Sequence, residues 1–319
     1  MNRRDFLLGT ASIIATSALP VRMANASDAI SILEAELISG RACGSNAAAI
    51  RGTLERLTRS TPPGAGRTIV VDIPSQHLGA YDDGYLSLES RVVVGDASWK
   101  TPDLDTKITF IRYNPTWTVP ESIIKARSWR KKLAEDPGYF TRLNFKMALD
   151  GEMVSPDIAA SHASRVGSFV QQPGPGNALG QVKLGLAHGD AIYLHDTNDQ
   201  AAFDENQRAL SHGCIRVEEA IPVSAWALGI DISEAYALID ADDRRDRKDL
   251  PSPVRMVTTY FTAWPDANGN ILYYPDPYGK DASDGACDGT QPTTGAWGSS
   301  YEVIEADQGY PSEVIIYAN

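Results

Sequence analysis

Cysteine is scarce in this chain: three in 319 residues, Cys43, Cys214 and Cys287, none of them in a Cys-x-x-Cys pair. That scarcity excludes a small disulfide-scaffolded domain and a zinc ribbon or finger, which need closely spaced cysteines. Basic charge is also in deficit, with 29 Lys and Arg against 41 Asp and Glu and a formal net charge of −12. Such a surface suits no polyanion, so no nucleic-acid partner is expected. The one long apolar stretch at the N-terminus, Phe6 to Leu19, falls short of the roughly 20 residues that a membrane-spanning helix needs. Internal repeats are lacking too, which removes solenoids and propellers from consideration.

What is present begins with an export signal. Arg3-Arg4 with Phe6, the apolar run and the small residues Ala24 and Ala26 fit a twin-arginine-type signal peptide over residues 1–26, cleaved before Ser27. The expected location is the periplasm, with no stable membrane span after cleavage. An odd cysteine count in an exported chain calls for a free thiol. If Cys214 is that thiol, Cys43 and Cys287 remain to pair, tying the N-terminal segment to the C-terminal region.

Periodicity divides the rest. Ile30 to Leu57 reads as a helical lead-in within residues 27–66, closed by the breaker Ser60-Thr61-Pro62-Pro63-Gly64-Ala65-Gly66. Thr68–Ile73, Leu78–Tyr81, Tyr85–Val94 and Lys107–Tyr113 are β-branched or apolar runs bounded by turn residues, including Asp82-Asp83-Gly84. They predict a mainly β fold with a mostly antiparallel sheet. Pro120–Leu133 is helix-compatible, and Glu135–Gly176 shows no clear period. Short strands are expected around Ala191–Leu194 and Cys214–Val217, a helical turn or two at Phe203–Leu210, a helix at Glu218–Leu228, and a closing hairpin around Asn268-Gly269-Asn270. A loop-rich tail spans 286–319.

Two residues carry the chemistry. Cys214 follows a flexible glycine at the start of an apolar strand in Ser211-His212-Gly213-Cys214-Ile215-Arg216-Val217, and His195 ends another strand in Tyr193-Leu194-His195-Asp196. Adjacent strands would join them, and a nearby imidazole activates a thiol for nucleophilic catalysis. For an arbitrary Cys and His the plainer reading is packing.

The surrounding motifs favour catalysis. His195 followed by Ser211-His212-Gly213-Cys214 resembles the signature of the L,D-transpeptidase (YkuD) family. The resemblance extends through Ile69–Pro74, Asn114–Pro120, Asp136–Tyr139, Gln172–Gly180 and Tyr260–Trp264, matching larger members with a capping insertion. It implies a mainly β catalytic domain over 67–285, mixed and sandwich-like with short helices, and a helical and loop capping insertion at about 121–172. It implies catalytic Cys214 and His195, with Gly213 and His212 at the oxyanion loop, His212 as a structural residue rather than a second base. Arg216, Tyr193, Trp117 and Ser211 are candidates around the substrate, with a structural ion pair as the alternative for Arg216 and core packing as the alternative for Tyr193 and Trp117. No metal and no cofactor are implied. The partners implied are peptidoglycan stem peptides as donor and acceptor, with carbapenem-type β-lactams as inhibitors. The default product is a 3-3 cross-link, with a 1-3 link, carboxypeptidase or exchange activity, or noncatalytic wall binding as alternatives. Two features depart from the usual pattern: Arg216 stands where Asn is common, and no separate peptidoglycan-binding module is evident. Asp196 is a weak candidate for orienting His195, because immediate neighbours on a strand face opposite ways. His77, His162 and His188 are read as ordinary surface or packing histidines.

Overall fold

A computed structural model describes residues 26–59, 63–187, 192–241 and 247–282. The expected signal segment up to Asn25, the expected C-terminal tail, His188 and Cys287 lie outside the described residues.

The lead-in is two helices, α1 (Ala26–Ile38) and α2 (Gly44–Leu57). The break falls where Gly40 and Gly44 take positive φ, a conformation that costs glycine little. The main sheet then opens with β1 (Arg67–Asp72), β2 (His77–Asp82), β3 (Tyr85–Gly95) and β4 (Asp105–Tyr113). The β2–β3 turn has Asp83 and Gly84 both at positive φ, the hairpin geometry that an Asp-Gly pair favours.

The next stretch folds as its own unit. It comprises β5 (Trp117–Thr118), α3 (Glu121–Ala126), α4 (Trp129–Glu135), α5 (Pro137–Arg142), β6 (Phe145–Leu149), β7 (Glu152–Val154), α6 (Pro156–Ala160) and β8 (Val166–Gln171). Its four strands pair in the order β5-β8-β6-β7. The region from Glu135 to Gly176, expected to be irregular, therefore holds three strands and two short helices. Each element spans only three to six residues, too short to show a period. Capping marks the helix starts instead: the Asp136 side chain accepts from the Tyr139 N–H before Pro137, and Ser155 accepts from the Ile158 N–H before Pro156.

The chain returns to the main sheet through β9 (Val182–Leu186), β10 (Leu194–His195), β11 (Ala209–Ser211) and β12 (Ile215–Val217). It covers one flank with α7 (Ala220–Leu228) and α8 (Ile232–Asp240), and adds β13 (Arg247–Thr259) and the hairpin β14 (Ala263–Pro265) and β15 (Ile271–Tyr273). Strand order is β11-β3-β12-β10-β9-β4-β13-β1-β2, and β3 also pairs with β2. The first half of β3 meets β2 and its second half meets β12 and β11, so the ends of the sheet come together around the core. The sheet is mostly antiparallel, as expected, with six antiparallel pairings among the described residues, but it is mixed: β1–β13, β10–β12 and β11–β3 are parallel. Those pairs join strands far apart in sequence, which local turn signals do not report. Phe203–Leu210 contains the end of a 3-10 turn (Gln200–Asp204) and then β11, rather than a helix.

The main core gathers Ile69, Val71, Val92, Ile111, Leu184, Leu194, Ile215 and Met256. A second, aromatic core lies in the 117–171 unit, where Trp129 meets Phe140, Phe145 and Phe169 at ring separations of 5.4–5.7 Å. A third joins α1 and α2 to Phe261 and Ala263.

Candidate active site

Strands β10 and β12 run parallel, with Leu194 opposite Ile215 and His195 opposite Arg216. Alternation along a strand then sorts the side chains. Leu194 and Ile215 enter the main core, while Tyr193, His195, Cys214 and Arg216 share the other face. Cys214 and His195 are diagonal neighbours there, a separation that a long or aromatic side chain bridges. Cys214 and Tyr193 pack into the aromatic core of the 117–171 unit, and Cys214 is only 8% exposed.

His195 is fully buried. Its Nδ1 hydrogen-bonds the backbone carbonyl of Asp196. A carbonyl only accepts, so the proton sits on Nδ1 and Nε2 carries the lone pair. Nε2 is buried and has no hydrogen-bond partner among the described residues, the state of a base awaiting a proton. Burial, aided by the positive charges of Arg216 and Lys183 and opposed by the Asp196 bond, lowers the imidazole pKa to about 3. Burial also raises the Cys214 thiol, against the opposing pull of the Tyr193 N–H and hydroxyl and of Lys183 and Arg216. Both shifts favour a neutral thiol beside a neutral imidazole, not the standing thiolate that the motif suggests.

The Asp196 carboxylate has a different task from the orienting role considered for it. It accepts from the N–H groups of Gln181 and Thr197 at 2.8 and 2.7 Å and from Gln200 Nε2 at 3.2 Å. It thus braces the turn after His195, while the residue's backbone fixes the tautomer.

The loop before Cys214 is tied to its neighbours. Ser211 Oγ donates to the Cys214 carbonyl at 2.6 Å and accepts from the Gly213 N–H at 3.0 Å. Thr101 Oγ1 donates to the Gly213 carbonyl at 2.9 Å. Gly213 sits at φ +107, and a Cβ there would meet Ile192 Cδ1 at 3.0 Å, so glycine is required. The Gly213 N–H, expected as an oxyanion donor, is already given to Ser211 in this arrangement. Ser211, expected near the substrate, is fully buried here and braces the loop.

The remaining expected residues scatter by role. Arg216 is 1% exposed and meets Asp199 at 3.4 Å. Trp117 is 2% exposed and packs edge-on against Trp129 and Phe145, within the aromatic core rather than on an open cleft. His212 stacks on Trp99 at 4.9 Å, and burial and Arg127 lower its pKa. Tyr193 lies beside His195, ring centroids 5.5 Å apart, with the Lys183 ammonium 3.9 Å from its own ring centre. Sequence reasoning passed over Lys183. The signal was a lysine at an alternate position of the otherwise apolar Val182–Leu186. Cys43 is disulfide-bonded and Cys214 is a free thiol; Cys287, the expected partner of Cys43, lies outside the described residues. Among the described residues, no group of three or more His, Cys, Asp or Glu side chains is placed to hold a metal ion.

This chain is similar to several known proteins. A family model described as the L,D-transpeptidase catalytic domain (YkuD) matches residues 66–286. A candidate L,D-transpeptidase from Haemophilus influenzae is 36% identical over 224 residues, covering 67% of this chain and 44% of that protein, so the chain spans less than half the relative's length. Among solved structures, an L,D-transpeptidase from Mycobacterium smegmatis is 14% identical, covering 61% of this chain and 59% of that one, at a TM-score of 0.29. One from Xylanimonas cellulosilytica is 13% identical, covering 66% and 69%, at 0.28. The match over 66–286 takes in the main core, the aromatic core and the strands that carry His195 and Cys214, and on it the chain belongs to the L,D-transpeptidase catalytic domain family.

Proposed function

We propose that this protein is a peptidoglycan L,D-transpeptidase that works through a Cys214 thioester. The observation that carries the reading is the shared sheet face of Cys214 and His195, with Nδ1 of His195 tied down and Nε2 left buried without a partner among the described residues. His195 Nε2 takes the thiol proton as Cys214 Sγ attacks the carbonyl of an L-residue joined to a D-residue. The resulting imidazolium gives that proton to the departing amine, leaving the acyl group on sulfur. An amine from a second stem peptide then attacks the thioester, His195 takes its proton, and the thiol is regenerated as the cross-link closes. With water as acceptor the same steps make a carboxypeptidase.

We further propose export to the periplasm, supported by the Arg3-Arg4 signal, and a cap formed by about residues 121–172 over the nucleophile, supported by Cys214 packing into its core. The favoured product is the 3-3 link, and carbapenem-type β-lactams should acylate the same sulfur. Purified muropeptides incubated with the protein should yield cross-linked dimers whose fragment masses identify the donor bond. Dimers joined through the L-residue at position 1 would replace the 3-3 assignment with 1-3, and shortened monomers alone would make the enzyme a carboxypeptidase.

A further inference from the structure

Four cationic side chains stand abreast with His195 across one face of the main sheet. The register pairs Arg247 with Arg112, Arg112 with Lys183, Lys183 with His195, and His195 with Arg216. Directly paired residues point to one face. The intervening Ile111, Leu184, Leu194 and Ile215 fill the main core on the opposite face, so the cations lie on the active-site side.

Like charges directly opposite one another destabilise a sheet, and this row occurs in a chain whose net charge is −12. Three members have partners on the chain: Arg247 Nε bonds Asp249 at 2.6 Å, Arg216 meets Asp199 at 3.4 Å and the Lys183 ammonium lies 3.9 Å from the Tyr193 ring centre. Arg112, partly buried between Arg247 and Lys183, has no ion pair among the described residues. The floor beside it is aromatic. The Phe110 ring lies across Gly185, where a Cβ would come within 2.1 Å of it, and the Arg247 guanidinium lies 4.0 Å from the Phe110 ring centre.

We propose that Lys183, Arg112 and Arg247 form a binding track for the carboxylates of an extended anionic peptide whose scissile carbonyl reaches Cys214. From His195 to Arg247 is three strand spacings, roughly 14 Å at about 4.8 Å each. Four extended residues have about that reach, at roughly 3.4 Å per residue. A guanidinium presents a planar fork that matches a carboxylate in two parallel hydrogen bonds. The track rests on the transpeptidase reading for its substrate class: a stem peptide carries several free carboxylates.

The test uses the full-length chain bearing Cys214→Ala, which binds without reacting, and measures by calorimetry its affinity for a synthetic stem tetrapeptide and for the same peptide with its carboxylates amidated. Adding Arg112→Gln should weaken the free-carboxylate peptide about tenfold, the scale of one lost charge-assisted hydrogen bond. The amidated peptide should change by less than about twofold, and Arg112→Lys should recover part of the loss, since it keeps the charge without the fork. Melting temperatures establish that each variant is folded. Equal affinities with and without Arg112→Gln, equal weakening of both peptides, or no binding of either peptide to the parent would overturn the track. A cysteine adduct forming normally on the wild type while binding ignores the carboxylates sinks the track alone. No adduct alongside carboxylate-dependent binding sinks the thioester reading alone.

Discussion

The proposed chemistry turns on one imidazole and one thiol whose surroundings push them the same way, toward neutrality. With His195 at about 3 and the Cys214 thiol raised, lowering the pH from 8 to 5 does not protonate the imidazole, and the resting thiolate population stays small. Alkylation of Cys214 by iodoacetamide, followed against pH, should therefore rise without a step between pH 5 and 8 and reach half its limit above the ordinary thiol value of about 8.5. A reactive plateau at pH 5–6 would show a standing thiolate–imidazolium pair and contradict this reading. At this scale the sequence was only partly legible. The His195 and Cys214 pair emerged because each borders a short apolar strand and the flanking motifs agree with a family. The use of the Asp196 backbone carbonyl left no trace, since any residue supplies one. Trp117 and Arg216 looked like cleft residues because aromatic and cationic side chains near a motif suit binding, yet depth of burial depends on the 117–171 unit, whose packing no local pattern encodes.

Among the elements, the loop leading into β12 determines where the proposed nucleophile stands. Ser211 joins both ends of it, donating to the Cys214 carbonyl and accepting from the Gly213 N–H. Ser211→Ala leaves a buried donor and a buried acceptor without that partner. The expected loss is about 2 kcal/mol of stability, given roughly 1–3 kcal/mol for an unsatisfied buried group, together with slower acylation of Cys214. Urea unfolding and the rate of adduct formation check the two halves, and a variant as stable and as fast as the wild type would remove Ser211 from this role. Elements with strong local chemistry were read correctly: the Asp83-Gly84 hairpin, and the β1 and β4 strands with their apolar runs. The short strands and helices between Glu135 and Gly176 were missed because three to six residues are fewer than a period needs to declare itself. The parallel pairings escaped because they join segments brought together only by the closed sheet.

For the molecule as a whole, the position of Cys214 depends on surfaces from distant parts of the chain. Cys214 and Tyr193 lie where the main sheet meets the aromatic core of the 117–171 unit. On the far side, α2 holds the last described residues through Arg56, which bonds Asp281 at 2.5 Å and Thr262 at 3.2 Å. Tyr278 continues that support inward: its hydroxyl accepts from the Thr101 N–H and donates to the Gly95 carbonyl, while Thr101 holds Gly213. N-terminal helices, the chain after β15 and the nucleophile loop are thus linked by direct hydrogen bonds. The central claim is that Cys214 becomes covalently acylated. Intact mass spectrometry of the wild type and Cys214→Ala, each incubated with a stem tetrapeptide and with a carbapenem, tests it most directly. The account predicts an adduct of acyl mass on the wild type alone, mapped to Cys214 after digestion. A folded wild type with a free Cys214 thiol that gains no mass from either reagent, or an equal adduct on Cys214→Ala, would contradict it.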